Sequence, residues 1–577
     1  MLIGYAITLA VYASFILMLA AIALERKGLR SILREFVDGY SLLALVLILL
    51  FFVTFSVLFV SPVEQLYFDE NIYQGIAMNI LSNGNALWCQ YGTAFAHTCY
   101  VNALYHDPVG WSAFIAIAFA LFGIGTQTAY NLELLVGALS IAMVFLLSGA
   151  LTRKRSCAVV SALAFSTMPQ LFIWSRTQAD FDLPFMMLAV LTMFLFVMFT
   201  RRKSLYSFAA FAFSLDLVSY MRIEALALVG IFALLLIAFG ERGIVETARE
   251  RIALVLRTLR DNTAALLLLF AFVLLLVPEV YYVALEAQNP AYGQPAGQPV
   301  LSLSNFNSNM GTNALFLLGQ FNAIGYYPMA FSYTITPLAA LGVLFLALDR
   351  RRKNRFGILL LLGLWFLAYF LFYTSFYAGA ANYGVDSRFM LQLIPQLCVL
   401  SAFAFVGAGD GVRALVRKVK AHGSEQLSIY ASGICVIAMG ALLLAYPFYL
   451  LEPNVAISPS AMPQQSVILK AINTFYSSYN AVPQNCVVFS FTPDIWFEAN
   501  RSSAQIGYLG GVNGTIKSSL SSYSCHVIDY GYWCVVPPFH STTCAYDTSH
   551  YKVENLTVPA QTPSGFGVTY YKILNYT

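Results

Sequence analysis

Residues 42–60 read "LLALVLILLFFVTFSVLFV", with no charged side chain. A helix of that length crosses the ~30 Å hydrocarbon core of a bilayer. Lipid offers a backbone N–H or C=O no partner, so such a run must close its hydrogen bonds within itself as a helix. Runs of this kind recur at about 3–23, 40–60, 128–151, 156–175, 183–200, 204–221, 223–240, 263–284, 328–348, 356–376, 389–409 and 428–450. The chain is 59% hydrophobic and 10% charged, with a mean hydropathy of +0.71. The expected fold class is an α-helical polytopic membrane protein of about twelve transmembrane helices. The first run is no signal peptide, because "ERKGLR" follows it and no basic segment precedes it.

The cations set the orientation. The connections at 25–39, 153–155, 201–203, 241–261, 349–355 and 410–420 hold 24 of the 32 Lys and Arg residues. They share one side, the cytoplasm, only if 109–125 ("VGWSAFIAIAFALFGIG") does not cross and stays juxtamembrane or re-entrant. Both termini then lie outside, with the large loops 61–127 and 285–327. Arg176, Arg222 and Arg388 stand alone at outer junctions, against the trend. Each is a membrane-edge salt bridge or snorkelling anchor, or part of an anion site. Glu133, Asp216 and Glu279 fall in the outer halves of spans, where an acid either completes an interhelical hydrogen bond or lines a cavity.

The first outer loop opens with "YFDENIYQGIAMNILSNG" at residues 67–84. Its apolar residues at 72, 76, 77, 80 and 81 keep helical spacing, which predicts an amphipathic helix lying on the membrane. Asp69 and Glu70 begin it, where a carboxylate also serves the free N–H groups of a first turn. Cys89 and Cys99 follow in the same loop and are candidates for a disulfide in an oxidising compartment. Loop 285–327, rich in Gly, Pro, Asn and Gln, is either a lid or binding loop or a plain connector.

Residues 1–451 form the expected membrane domain and 452–577 a small β-rich extracytoplasmic domain. That tail carries the β-prone runs "CVVFSF", "WCVVPP" and "GVTYYKIL". Its Cys486, Cys525, Cys534 and Cys544 allow three pairings. Its sequons at Asn500, Asn513, Asn555 and Asn575 agree with an external location. There is no phosphate-binding glycine loop, no zinc-spaced Cys/His set and no basic-aromatic surface for nucleic acid.

With this topology, "DENIYQGIAMNILSNG" resembles the first outer loop of the GT-C superfamily. The match is to its polyprenyl-phosphate-dependent branch of protein O-mannosyltransferases and aminoarabinose transferases. That family carries Asp-Glu-x-x-Tyr, an Ile-Ala step, a Leu and a closing Gly, here Asp69, Glu70, Tyr73, Ile76, Ala77, Leu81 and Gly84. "YHDPVGWSAFIAIAFALFG" resembles the family's basic-Pro-Pro-Leu stretch, with His106 before it, Pro108 kept, Asp107 in place of a Lys and Val109 in place of the second Pro. "SRTQADFDLPF" resembles an Arg…Asp-x-Pro motif through Arg176 and Asp182, with Asp180 as rival acid. Arg222 of "YMRIEAL" stands where a Lys is common. "DSRFMLQLIP" resembles an Arg-Tyr-x-Leu-x-x-x-Pro motif, with Arg388 and Leu391 kept and Phe389 replacing Tyr. The resemblance covers about residues 40–410. The Trp-Trp-Asp motif of oligosaccharyltransferases is absent from the sequence.

The resemblance implies a glycosyltransferase that uses a polyprenyl-phosphate-linked sugar at the outer face of the bilayer. Its acceptor is a hydroxyl or amine of a protein, glycan or lipid, and transfer is inverting. Asp69, supported by Glu70, is then the general base, and Arg222 and Arg388 bind the donor phosphate. Tyr73, Asp182, Asp180 and His106 position substrate. A divalent metal held by the acids is compatible with this, and no other cofactor is implied. A transporter or a scaffold displaying the tail would also be a membrane protein of this composition. The enzyme reading alone requires the outer acids and arginines to converge on one cavity open to the membrane side.

Overall fold

The computed structural model describes residues 2–60, 68–94, 96–176, 180–238, 253, 262–286, 299–318, 334–348, 355–381, 386–419, 441, 478–509, 523, 525–530, 551–556 and 569–576. The membrane part begins with helices α1 (Leu2–Leu24), α2 (Arg26–Leu33), α3 (Gly39–Phe59) and α4 (Phe68–Asn83). After the hairpin β1 (Trp88–Thr93) and β2 (Thr98–Ala103) come α5 (Gly110–Phe122), α6 (Thr126–Thr152), α7 (Arg155–Ser166) and α8 (Pro169–Trp174). Next are α9 (Asp182–Arg202), α10 (Leu205–Ser219), α11 (Leu226–Ala238), α12 (Thr263–Glu286), α13 (Leu303–Leu317), α14 (Ile335–Leu348) and α15 (Arg355–Ser375). A 3₁₀ segment, Asp386–Leu393, leads into α16 (Ile394–Val419). The tail supplies β3 (Cys486–Ser490), α17 (Pro493–Glu498), β4 (Ser502–Gln505), β5 (Cys525–Tyr530), β6 (Tyr551–Asn555) and β7 (Thr569–Tyr576).

Among the described residues, seven helices are long and apolar enough to cross a membrane. They coincide with the expected spans at 3–23, 40–60, 128–151, 183–200, 263–284, 356–376 and 389–409. Shorter apolar helices occupy four other expected spans, and the twelfth, 428–450, lies outside the described residues but for one position. The expected span at 156–175 is not one helix. It breaks between α7 and α8 before Pro169, which has no N–H to continue the ladder. Helix α5 has 13 residues. At 1.5 Å per residue it is roughly 20 Å long, too short to span the ~30 Å core.

Local chemistry fixes the helix ends. Asp38 caps α3 by accepting from Ser41 N at 2.9 Å, and Ser204 caps α10 by accepting from Ser207 N at 3.1 Å. The tight turns "RK" after α6 and "KS" after α9 use left-handed residues, Arg153 and Lys203. At this basic end, Glu35 pairs with Arg201 and Arg153, Asp38 with Arg155 and Glu25 with Arg202. These pairs tie the α1–α3 linker to α6, α7, α9 and the turns between them.

The sheet at the opposite end runs β2-β1-β4-β3-β5-β7-β6. Strand β3 is parallel to β4 and β5, and the other pairs are antiparallel. The tail therefore does not build its sheet alone, because two strands come from the first outer loop. Disulfides join Cys89 to Cys99 across the hairpin and Cys486 to Cys525 across β3 and β5. Cys534 and Cys544 lie outside the described residues. The sequons split: Asn500 and Asn555 are exposed, while Ser502, the hydroxyl residue of the first, is buried.

Helix α4 corrects the expected membrane-surface helix. Residues 70–77 are all buried, because α5 covers one side and α17 the other. Gly75 makes that second contact. A Cβ there would stand 1.7 Å from Asp494 Oδ1, so only a glycine admits the α17 carboxyl. Trp88 Nε1 donates to the other oxygen of Asp494 at 3.0 Å. The helix carrying Asp69 is thus clamped between membrane part and tail domain.

Candidate active site

The start of α4, the loop before α5, the loop before α9, the end of α10 and the 3₁₀ segment before α16 bring their charged residues together. Asp69 lies in the first turn of α4. The Tyr105 hydroxyl donates to its Oδ1, and Arg388 Nη1 lies 3.9 Å from its Oδ2. Burial, then the charge of Asp69, push the Tyr105 phenol well above its ordinary value, so it stays a donor.

Arg388 is the hub. Its Nη1 donates to Asp180 Oδ2 at 2.7 Å, and its Nε lies 3.6 Å from Asp182 Oδ2. Asp180 and Asp182 are therefore partners in the cluster, not rivals. Burial raises the Asp180 carboxyl, Arg388 pulls it back, and the nearby Asp182 and Asp69 push it up again, to about 8. Asp180 Oδ1 also accepts from Phe181 N at 2.7 Å.

Arg222 sits one layer deeper. It pairs with Asp182 and Glu224 and lies 4.7 Å from the Phe181 ring centre and 5.1 Å from that of Phe389. Tyr373 donates to Glu224 at 2.7 Å. With two acids and three rings around it, those of Phe181, Phe389 and Tyr373, this guanidinium holds Asp182 in place more directly than it offers an open cation. Tyr73, one turn after Asp69, packs edge-on against Tyr105 and Phe181 at 5.6 and 5.1 Å. Its hydroxyl is buried with no hydrogen-bond partner among the described residues.

His106 Nε2 stands 3.2 Å from Asp107 Oδ2. Burial lowers the imidazole, but Asp107, Asp69 and Glu286 together raise it to about 9. Burial likewise raises the Asp107 carboxyl, and His106, Arg222 and Arg388 outweigh it and hold it low. The Tyr282 hydroxyl of α12 accepts from Tyr105 N at 3.1 Å and donates to the carbonyl of Tyr105. Gly110 N donates to Tyr220 O at 2.9 Å, and a Cβ at Gly110 would stand 2.5 Å from that oxygen. Its missing side chain seats the "YHDPVG" loop on the end of α10, two residues before Arg222.

Two expected site residues lie elsewhere. Glu70, the next residue after Asp69 and about 100° around α4, is fully buried and accepts from the Tyr130 hydroxyl of α6. Arg176 Nε donates to Val60 O at 3.4 Å, outside the cluster. Of the intramembrane acids, Asp216 accepts from Ser14 at 3.3 Å. Tyr105, Glu224, Tyr373 and Phe181 were not anticipated as site residues. Tyr105, Phe181 and Glu224 sit within two residues of His106, Asp180 or Arg222 in the strings that carry the motifs, which is the local signal for them.

Part of loop 285–327 also serves the site. Helix α13 is capped by Ser302, and its Asn309 Nδ2 donates to Thr374 O at 3.1 Å and Phe376 O at 2.9 Å. Asn313 Nδ2 donates to Gly379 O at 3.0 Å, and its Oδ1 accepts from Ala381 N at 2.9 Å. The loop is thus no plain connector, because it shapes the stretch before Arg388. Its residues 287–298 and 319–327 are outside the described ones.

Among the described residues, no three His, Cys, Asp or Glu side chains are placed to hold a metal ion. The acids suited to one, Asp180 and Asp182, are already bridged by Arg388.

Residues 106–282 match the family model of dolichyl-phosphate-mannose-protein mannosyltransferase. No curated protein matches the chain as a relative. The structure is similar to apo ArnT from Cupriavidus metallidurans, with a TM-score of 0.53 and 13% identity over 92% of this chain and 98% of that one. It is also similar to the same ArnT bound to undecaprenyl phosphate, with a TM-score of 0.50 and 13% identity over 93% and 98%. An oligosaccharyltransferase from Archaeoglobus fulgidus gives a TM-score of 0.49 at 14% identity over 90% of this chain and 73% of that one. The chain is an integral membrane protein whose fold is similar to that of ArnT, and whose residues 106–282 match the mannosyltransferase family model.

Proposed function

We propose that this protein transfers a sugar from a polyprenyl-monophosphate donor to a hydroxyl or amine acceptor on the non-cytoplasmic face, with inversion at the anomeric carbon. One observation carries the reading: the Asp69 carboxylate and the Arg388 guanidinium meet 3.9 Å apart, at helix ends opposite the basic turns. A base for the acceptor and a cation for the leaving group then stand side by side.

The acceptor oxygen or nitrogen attacks the anomeric carbon, and the bond from that carbon to the phosphate oxygen breaks. The acceptor proton passes to Asp69. The electron pair of the broken bond stays on the lipid phosphate, whose added charge Arg388 meets without reorganisation. Arg222 holds Asp182, which with Asp180 aims Arg388. The Tyr73 hydroxyl is free to bind a substrate hydroxyl. Arg388 exchanges part of its carboxylate contact for phosphate when donor binds. The acceptor is a protein, glycan or lipid presented at the membrane surface.

The test incubates the full chain in lipid nanodiscs with short-chain prenyl-phosphate sugars and a panel of hydroxyl and amine acceptors. The expected result is release of prenyl phosphate with a product of inverted anomeric configuration. Product of retained configuration would contradict the single displacement. Use of nucleotide sugars with no turnover of prenyl-phosphate sugars would contradict the donor class.

A further inference from the structure

Toward the end of α4 away from Asp69, a cavity of about 240 Å³ opens between that helix, the β1–β2 hairpin and α17. Met78, Asn79, Ser82 and Asn83 of α4 line it. At 1.5 Å per residue they lie roughly 14–21 Å along the helix from Asp69. The cavity therefore does not share the reaction centre.

Its walls select for chemistry. No Lys or Arg lines it, and its one basic side chain is the imidazole of His97. Its carboxylate, Glu498, is positioned by a hydrogen bond from Thr126 Oγ1 at 2.9 Å. Asn79 is buried and fixed: its Nδ2 donates to Leu87 O and Asn102 Oδ1, both at 2.7 Å, and its Oδ1 accepts from Asn83 Nδ2 at 2.9 Å. That last bond orients the Asn83 amide, whose oxygen remains for a ligand. The half-buried ring of Phe497 supplies a flat apolar wall. The Cys89–Cys99 disulfide braces the hairpin side.

An oriented amide, a held carboxylate, hydroxyls and one aromatic face are what a neutral pyranose ring needs. Its hydroxyls take in-plane hydrogen bonds, and its C–H face takes the aromatic wall. The volume falls below the ~300–1,000 Å³ of sites for drug-sized ligands, which fits a single sugar ring. We propose that this cavity is a second, non-catalytic binding site for one neutral sugar residue of a glycan, carried on the same helix as Asp69. It stands whether or not Asp69 acts as the base.

The test is saturation-transfer difference NMR on the full chain in phosphatidylcholine nanodiscs, which carry no sugar detergent. The probes are methyl α-mannopyranoside, methyl β-glucopyranoside and methyl β-galactopyranoside at millimolar concentration, with inorganic phosphate as competitor. At least one pyranoside should receive saturation on its ring protons, unaffected by phosphate. The signal should vanish in Ser82→Trp, which fills the cavity from an exposed position, and weaken in Phe497→Ala. It should persist in Asp69→Asn. Melting curves show which variants fold, and Asn83→Ala replaces any that do not. No transfer to any of the three, or equal transfer in folded Ser82→Trp, overturns the proposal. Loss in Asp69→Asn with Ser82→Trp unaffected would place the sugar at the reaction centre and overturn it too.

Discussion

Arg388 has three carboxylates within 4 Å, those of Asp69, Asp180 and Asp182. Whether it can turn toward a phosphate depends on how many of them are charged. Burial chiefly raises the Asp180 carboxyl from 3.8 to about 8. As pH climbs past about 8, its charge competes with the donor phosphate for Arg388. Donor KM should therefore rise on the alkaline side in wild type, and the rise should flatten in Asp180→Asn. Stability follows the same sign. A group whose folded-state pKa is raised stabilises fully below its unfolded value and loses that contribution as pH rises through the folded one. For Asp180 the window runs from 3.8 to about 8, and for His106 from 6.5 to about 9. Melting temperature should fall between pH 6.5 and 9, with a shallower fall in Asp180→Asn and in His106→Gln. A flat profile in wild type would contradict the buried cluster. Sequence alone assigned Arg222 to the phosphate, yet the structure surrounds it with Asp182, Glu224, Phe181 and Phe389. Glu224 is two residues on in the same string, but Asp182, Phe181 and Phe389 come from separate stretches of chain, and no local pattern brings them to Arg222.

Helix α4 joins the chemistry to the tail. Its first turn carries Asp69, and its middle receives Asp494 against Gly75. Gly75→Ala would overpack that contact at a cost of about 1–3 kcal/mol, because the opposing atom belongs to a buried aspartate and not to a flexible chain end. The expected outcome is a lower melting temperature and reduced turnover together. A Gly75→Ala protein with unchanged melting and turnover would show that the tail does not brace the helix. The helix itself was legible, since its apolar residues repeat with helical spacing. Its burial was not: the amphipathic pattern implied a polar face in water, yet Asn79 is buried against Leu87 and Asn102, and α17, which meets Gly75, begins some 400 residues later. The same distance hid the union of the outer hairpin with the tail strands.

The whole molecule is a polarised object. Long, sparsely charged runs made seven spans readable, and Pro169 broke another where its missing N–H dictates. Its charges divide by end: Arg153, Arg155, Arg201 and Arg202 pair with acids of the α1–α3 linker, and the Asp69–Arg388 cluster stands at the other ends of the same helices. By the cation bias, the cluster should face away from the cytoplasm. In intact cells a membrane-impermeant maleimide should label Glu554→Cys, exposed on β6, and spare Lys27→Cys, exposed on α2; the reverse pattern would invert the molecule. The central claim is that Asp69 takes the acceptor proton, and single-turnover transfer by Asp69→Asn tests it most directly. If Asp69 only supports the first turn of α4, the amide keeps most of that role and costs up to about 1 kcal/mol of stability. If it is the base, the folded variant should bind prenyl-phosphate sugar nearly as wild type while transfer falls roughly 10²–10⁴-fold. Transfer at near wild-type rate by folded Asp69→Asn would contradict the account.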